Sequence, residues 1–147
     1  MSRTAQITLD RELPARLRLA VMRLARRLRQ QSEEGATPSM LSALASVERL
    51  GPVTLSELAQ VERVQPPSIT KVVARLEEEG FIARSGDASD RRITRIQLTA
   101  KGKHFIEQNR SRKTAYLARG LATLEPGDRD ILNKALDVLD RLLKETD

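Results

Sequence analysis

The stretch from residue 54 to residue 99 reads TLSELAQVERVQPPSITKVVARLEEEGFIARSGDASDRRITRIQLT, and it decides the fold. Thr54 and Glu57 form a T-x-x-E capping box, which predicts a helix over residues 55–61. A short turn follows, and prolines at positions 66 and 67 are compatible with the first turn of a second helix. That helix is predicted to run to residue 79 and to end at Gly80, a residue type that favours helix ends.

A β-hairpin is predicted directly after the second helix. Residues 81–85 and 92–98 have strand character, because Ile96 and Leu98 alternate with the polar Arg95 and Gln97. Residues 86–89 supply the turn between the strands. Two short helices followed by a hairpin with a charged tip indicate a winged helix-turn-helix, a module that reads DNA.

The second helix carries its polar residues in an informative pattern. Four apolar residues recur at i, i+3, i+4 and i+7 and form one buried stripe: Ile69, Val72, Val73 and Leu76. The opposite side presents Pro67, Thr70, Lys71 and Ala74, with Ser68 and Arg75 beside them. Acidic residues occur only at positions 77–79, at the C-terminal end. A recognition helix is expected to look like this, because its N-terminal half enters the major groove beside phosphates.

The hairpin carries a second candidate contact. Asp87, Asp90, Arg91 and Arg92 lie at or beside its tip. A carboxylate close to an arginine holds the guanidinium in one orientation, and an oriented arginine on a protruding hairpin suits a minor groove. An ordinary polar turn with a surface ion pair explains the same residues, but we favour the DNA contact because the hairpin follows a recognition-like helix.

Helices are predicted on both sides of this module, at residues 10–31, 38–50, 99–123 and 129–144, with a turn at 125–128. The first and last carry long apolar repeats, which are Leu13, Leu17, Val21, Leu24 and Leu28, and Leu132, Leu136, Leu139 and Leu143. These stripes exceed what the small module covers, so we expect dimerisation. Seven arginines of the first helix form either a solvated face or a supporting phosphate contact.

Composition narrows the class of protein. The chain has 147 residues, one histidine, no cysteine and a net charge of +6, although residues 51–99 carry seven basic and seven acidic side chains. Cysteine chemistry is therefore excluded. The lone His104, the lack of a glycine-rich phosphate loop and the lack of a metal-ligand cluster argue against an enzyme, a cofactor or a metal site. No signal peptide or membrane span is recognisable, and we expect a cytoplasmic protein.

The chain resembles the MarR family of bacterial transcriptional regulators. The resemblance lies in four segments: LSELA at residues 55–59, SITKVVARLEEEGFI at 68–82 followed by Arg84, DASDRR at 87–92, and QLTAKG at 97–102. It implies a mainly α fold with a small β-hairpin, in which a winged helix-turn-helix (residues 38–99) is flanked by dimerisation helices (10–32 and 100–147). It also implies a homodimer that binds a near-palindromic operator in double-stranded DNA and represses transcription. A small aromatic or anionic effector is a further expectation from the family.

Position by position, the resemblance implies DNA contacts for Ser68, Thr70, Lys71 and Arg75 in the recognition helix and for Arg92, steadied by Asp90, in the wing. We add Gln65, Pro67, Arg84 and Arg91, which lie beside them, as candidate contacts. The recognition-helix set is Gln65, Pro67, Ser68, Thr70, Lys71 and Arg75. The wing set is Arg84, Asp90, Arg91 and Arg92, in which Arg92 enters the minor groove and Asp90 steadies it. A protein–protein interaction module without DNA binding remains the alternative.

Two positions depart from the family pattern. Arg63 stands where a glycine is usual, and a left-handed arginine costs ~1–2 kcal/mol, so a turn of a different shape is an alternative. Gln65 stands where a serine N-cap is frequent, and glutamine is a poor cap.

Overall fold

The computed structural model describes residues 2–145, with side chains from residue 11 onward. Within this range there are six helices and three strands. Their bounds are α1 Ser2–Arg29, α2 Pro38–Leu50, β1 Val53–Thr54, α3 Leu55–Glu62, α4 Pro66–Glu78, β2 Ile82–Gly86, β3 Thr94–Leu98, α5 Ala100–Ala122 and α6 Pro126–Lys144. The chain forms two compact units, one ending at Arg112 and the other beginning at Lys113.

The core of the first unit lies between α2, α3, α4 and the sheet. Its buried apolar residues are Met40, Ala43, Leu44, Val47, Val53, Leu58, Ala59, Ile69, Val73, Leu76, Phe81, Ile82, Ile96 and Ile106. Three of the four residues in the predicted stripe of α4 are fully enclosed, and Val72 is half-buried at its edge. The hydrophobic stripe therefore fixes α4 by its inner face and leaves its opposite side in solvent.

The sheet has three antiparallel strands in the order β1-β3-β2. The predicted hairpin is confirmed, with Ile82 opposite Leu98 and Gly86 opposite Thr94. The strand β3 begins at Thr94 rather than residue 92, because residues 87–93 form a longer loop than the four-residue turn that we expected. The strand β2 begins at Ile82 rather than residue 81, because the Phe81 N–H donates to the Leu76 carbonyl at the end of α4. The short strand β1, which places Val53 opposite Ile96, was not predicted because two residues are too few to show an alternating pattern.

The start of α5 is attached to the chain segment between α4 and β2. The Thr99 hydroxyl donates to the Gly80 carbonyl at 2.6 Å and accepts the Gly102 N–H at 3.0 Å. Gly102 lies so close to Phe81 that a Cβ atom built on it would be 2.0 Å from the Phe81 carbonyl oxygen. The sequence LT..G is therefore a close-packed junction between the wing and α5.

The bounds of α1 and α6 correct the sequence predictions. The α1 backbone is helical from Ser2 rather than residue 10, since the apolar repeat used to place its start covers only part of the helix. The last helix begins at Pro126 rather than residue 129, because proline suits a first helical position, where no backbone donor is needed. No side chain of α6 is buried. Among the described residues, no helix is long and apolar enough to span a membrane.

Candidate DNA-binding interface

The N-terminal half of α4 is a solvent-exposed surface without acidic side chains. All six predicted contact residues of this helix are exposed, and they are Gln65, Pro67, Ser68, Thr70, Lys71 and Arg75. The hydroxyl of Thr70 donates to the Pro66 carbonyl at 2.8 Å, so its lone pairs remain available to an outside donor. Among the described residues Lys71 forms no ion pair. No acidic side chain of residues 11–145 therefore neutralises the charge of its ammonium group.

The turn that leads into α4 keeps a left-handed residue. Arg63 has φ 54° and ψ 42°, so the alternative of a differently shaped turn is wrong. Its N–H donates to the carbonyls of Ala59 and Gln60, and these bonds close the end of α3. Gln65 is the N-cap of α4, and its side chain makes no capping hydrogen bond, as expected for glutamine. Its carboxamide group is consequently not used by the helix.

Arg75 points away from the rest of this surface. One of its guanidinium nitrogens lies 3.4 Å from the carbonyl oxygen of Gly35, in the loop between α1 and α2. Sequence reasoning placed Arg75 on the shoulder of the helix but could not identify this partner, which is forty positions away in the chain. The Arg75 side chain therefore extends from the exposed surface of α4 to the loop between α1 and α2.

Behind α4 is an open cavity of about 330 Å³. The cationic side chains of Arg75 and Lys101 line it together with His104, Phe81 and Phe105. The two phenylalanine rings stack with centroids 4.2 Å apart, and the Lys101 ammonium lies 5.3 Å from the Phe81 centroid. Glu33, Glu34 and Glu79 also line the cavity. Charged groups of both signs and one aromatic pair thus meet behind the recognition helix.

The wing holds Arg92 in the predicted arrangement. Its Nε and Nη2 atoms donate to the two oxygens of Asp90, each at 3.1 Å, and its backbone N–H donates to the same carboxylate at 3.0 Å. The side chain of Arg92 is still 89% exposed. The Arg92 hydrogen bonds keep the pKa of Asp90 below its ordinary value, so the carboxylate stays ionised. An oriented and accessible guanidinium therefore stands at the tip.

A second carboxylate, Asp87, organises the loop beneath Arg92. It accepts hydrogen bonds from the backbone and hydroxyl of Ser89, at 2.8 and 2.6 Å, and from the Arg95 guanidinium at 2.5 Å. These hydrogen bonds hold the pKa of Asp87 far below its usual range, and the one from the Ser89 hydroxyl has the largest effect, ahead of the one from Arg95. Sequence reasoning placed Asp87 near the tip but gave it no role. An aspartate two residues before a serine is the signal for such a turn.

The other two predicted wing residues differ from each other. Arg84 donates to the Glu77 carboxylate at 2.5 Å, so its charge is paired with the C-terminal end of α4. Arg91 is exposed and forms no ion pair within the described part of the chain. The geometry thus brings Arg91 and Arg92 together at the tip and directs Arg84 back toward the helix.

These elements define a winged helix-turn-helix, in which α3 and α4 form the helix pair and the β2–β3 hairpin forms the wing. A model of the MarR family matches residues 36–94. An HTH-type transcriptional regulator of Mycobacterium tuberculosis (strain CDC 1551 / Oshkosh) is 38% identical over 93% of this chain and 96% of its own. The chain therefore belongs to the MarR family of transcriptional regulators, which are DNA-binding proteins without enzymatic activity.

Solved structures agree with this assignment. A protein of Pseudomonas aeruginosa PA01 has a TM-score of 0.82 and 36% identity, covering 92% of this chain and 96% of that one. A point mutant of S. aureus MepR, solved bound to an oligodeoxyribonucleotide, has a TM-score of 0.71 and 19% identity, covering 89% and 97%. They confirm the predicted fold class, a mainly helical winged helix-turn-helix, and the membership confirms the expectation of a non-enzymatic regulator.

Proposed function

We propose that the protein binds a near-palindromic operator in double-stranded DNA as a cytoplasmic homodimer and represses transcription by occluding the promoter. The observation that carries this proposal is the pairing of two exposed cationic elements in one module. One is the acid-free N-terminal half of α4, and the other is the wing tip with its oriented arginine. The module has no net positive charge, so binding depends on where its cations stand rather than on its total charge.

The recognition helix supplies the sequence-reading surface in this proposal. Lys71 lies at the centre of the exposed face and donates to a guanine edge or to a phosphate. Ser68 and Thr70 flank it with hydroxyls, and Pro67 offers an apolar contact for a thymine methyl. The three glutamates at positions 77–79 lie at the far end of the helix, where they do not oppose the phosphates.

The wing supplies the second contact of each half-site. Arg92 reaches the minor groove while Asp90 holds its guanidinium, and Arg91 adds a neighbouring cation at the tip. A narrow minor groove over A·T pairs has an enhanced negative potential, which attracts such an arginine. Arg84 supports the wing indirectly: its hydrogen bond to Glu77 attaches the wing to the end of α4, and it is not a primary DNA contact.

The exposed apolar side chains of the flanking helices support the homodimer. Large apolar side chains of α1 and α6 are exposed among the described residues, and they include Leu13, Leu19, Val21, Met22, Leu24, Ile131, Leu132, Leu136, Val138 and Leu143. Exposed apolar surface of this extent marks an interaction site in a protein. A second copy of the chain is the occupant that also places two recognition helices on one DNA molecule.

The cavity behind α4 suits a small aromatic anion as effector. An anionic group pairs with Arg75 and Lys101, and a ring packs beside Phe105. Such a ligand draws Arg75 inward. It weakens operator binding only if it has a higher affinity for the conformation that does not bind DNA than for the one that does. Titration with benzoate while operator binding is recorded tests this point. Unchanged operator affinity at every benzoate concentration counts against it.

Replacement of Lys71 tests the DNA-binding proposal. We expect Lys71→Ala to weaken binding to genomic operator fragments by ~1–3 kcal/mol and to lower the salt slope by about one unit, without unfolding. Lys103→Ala is the matched control, because it removes one exposed lysine from α5. Equal operator affinity in the two variants would remove α4 from its proposed role. Absence of binding by the wild-type protein to any fragment would favour the protein–protein alternative.

A further inference from the structure

Two serines of α2 hold the last residue of α3. The Ser42 hydroxyl donates to one carboxylate oxygen of Glu62 at 2.6 Å, and the Ser46 hydroxyl donates to the other at 2.5 Å. The serines are four positions apart, so they lie on one face of α2. Ser46 is buried and Glu62 is half-buried, which shields the charge-assisted hydrogen bond between them from water, whereas the bond from Ser42 is exposed. We refer to these three residues as the serine–glutamate clamp.

The clamp lies directly before the turn of the helix pair, which has neither a glycine nor a side-chain N-cap. Arg63 follows Glu62 directly and occupies the left-handed region that glycine adopts without strain. Gln65, which begins α4, provides no side-chain cap. The turn therefore lacks both of the features that commonly stabilise such a connection, a glycine before the helix and a short polar N-cap.

We propose that the clamp is the positioning device of the recognition helix. By tying Glu62 to α2, it holds Arg63 in the left-handed conformation and thereby sets the direction in which α4 leaves the turn. Glu62 acts through Arg63 and does not contact DNA. This inference rests on the proposed DNA binding. When the clamp is removed, only the fraction of molecules with the correct turn binds operator, and the apparent affinity falls by that fraction.

A double-mutant cycle between Glu62→Ala and Arg63→Gly tests the coupling. We expect Glu62→Ala to weaken operator binding about 10-fold, the size expected for lost hydrogen bonds to a charged group. Arg63→Gly relieves the strained residue, so the double variant should bind within about 3-fold of Arg63→Gly alone. A general loss of packing would give additive losses in the cycle. Gln60→Ala, an exposed change on the same helix, is the control and should bind like the wild type.

Two further variants keep the test decisive if Glu62→Ala folds poorly. Glu62→Gln retains two polar atoms for the serines and should bind more tightly than Glu62→Ala. Ser42→Ala removes only the exposed hydrogen bond and should give a smaller loss. Operator affinities of Glu62→Gln and Glu62→Ala that are equal would contradict the proposal, as would additive losses in the cycle.

Amide hydrogen exchange measures the turn without DNA. The Val64 and Ile69 amides donate to the carbonyls of Ala59 and Gln65, at 3.1 and 3.3 Å, and these bonds depend on the shape of the turn. Glu62→Ala should speed their exchange by about 10-fold relative to core amides, and Arg63→Gly should reverse the increase. If the wild-type protein binds no operator, the proposed function is wrong. The amide hydrogen exchange rates then still test the role of the clamp, because they are measured without DNA. Unchanged exchange rates at both amides in Glu62→Ala would overturn the proposed role of the clamp.

Discussion

Replacing Gly102 by alanine sets two effects on stability against each other. In a helix interior, alanine is ordinarily more stable than glycine by roughly 0.5–1 kcal/mol. At this position the new Cβ would lie 2.0 Å from the Phe81 carbonyl oxygen, whereas ordinary contacts begin at 3.4 Å. The obstacle is backbone rather than a flexible side chain, and the same carbonyl accepts the Thr99 N–H at 3.1 Å. The junction must therefore open.

The expected result is a net loss of about 1–3 kcal/mol in the free energy of unfolding, the usual cost of overpacking. Gly120→Ala is the matched control in the same helix, since nothing lies within 4 Å of its Cβ position. It should gain up to ~1 kcal/mol. Urea unfolding of both variants at one protein concentration measures the difference as a shift in midpoint at constant slope. Equal stabilisation by the two substitutions would refute the close packing of α5 on the wing junction.

Two further predictions concern the wing. Arg92→Ala should weaken operator binding by ~1–3 kcal/mol, chiefly for operators with A·T-rich flanks, and equal affinity of variant and wild type for every flank would contradict the minor-groove role. The pKa values of Asp87 and Asp90 lie below their ordinary value of 3.8. Above about pH 5 both carboxylates are therefore ionised and stabilise the wing. This stabilisation is lost as the pH falls through the lowered pKa values. Amide chemical shifts of Ser89 and Arg92 should thus stay constant from about pH 8 to 5, and a transition near pH 6 would show that other groups control the loop.

Much of the module could be predicted because its signals are local. The capping box at Thr54 and Glu57 is present with both of its hydrogen bonds, at 3.2 and 3.0 Å. The apolar repeat of α4 identified its buried side, because a helix of period 3.6 presents such a stripe to the core. The pairing of Asp90 with Arg92 was accessible for the same reason, since the two residues are only two positions apart.

What escaped prediction depends on contacts between distant parts of the chain. The Arg75 hydrogen bond spans forty positions and the clamp of Glu62 spans sixteen and twenty, so no periodicity reveals them. Strand β1 forms only because β3 lies beside it. Arg63 adopts a left-handed conformation that a non-glycine residue disfavours. The hydrogen bonds around it hold it in this conformation, and the sequence does not reveal them.

We propose that two copies of this module read one operator. Selection of genomic fragments by the purified full-length protein, followed by sequencing of the bound DNA, tests it most directly. We expect enrichment of one near-palindromic motif, with half-sites separated by about one helical turn, and loss of that enrichment for Lys71→Ala. Enrichment of a motif without twofold symmetry, or equal recovery of all fragments, would show that two copies do not read one operator in this way.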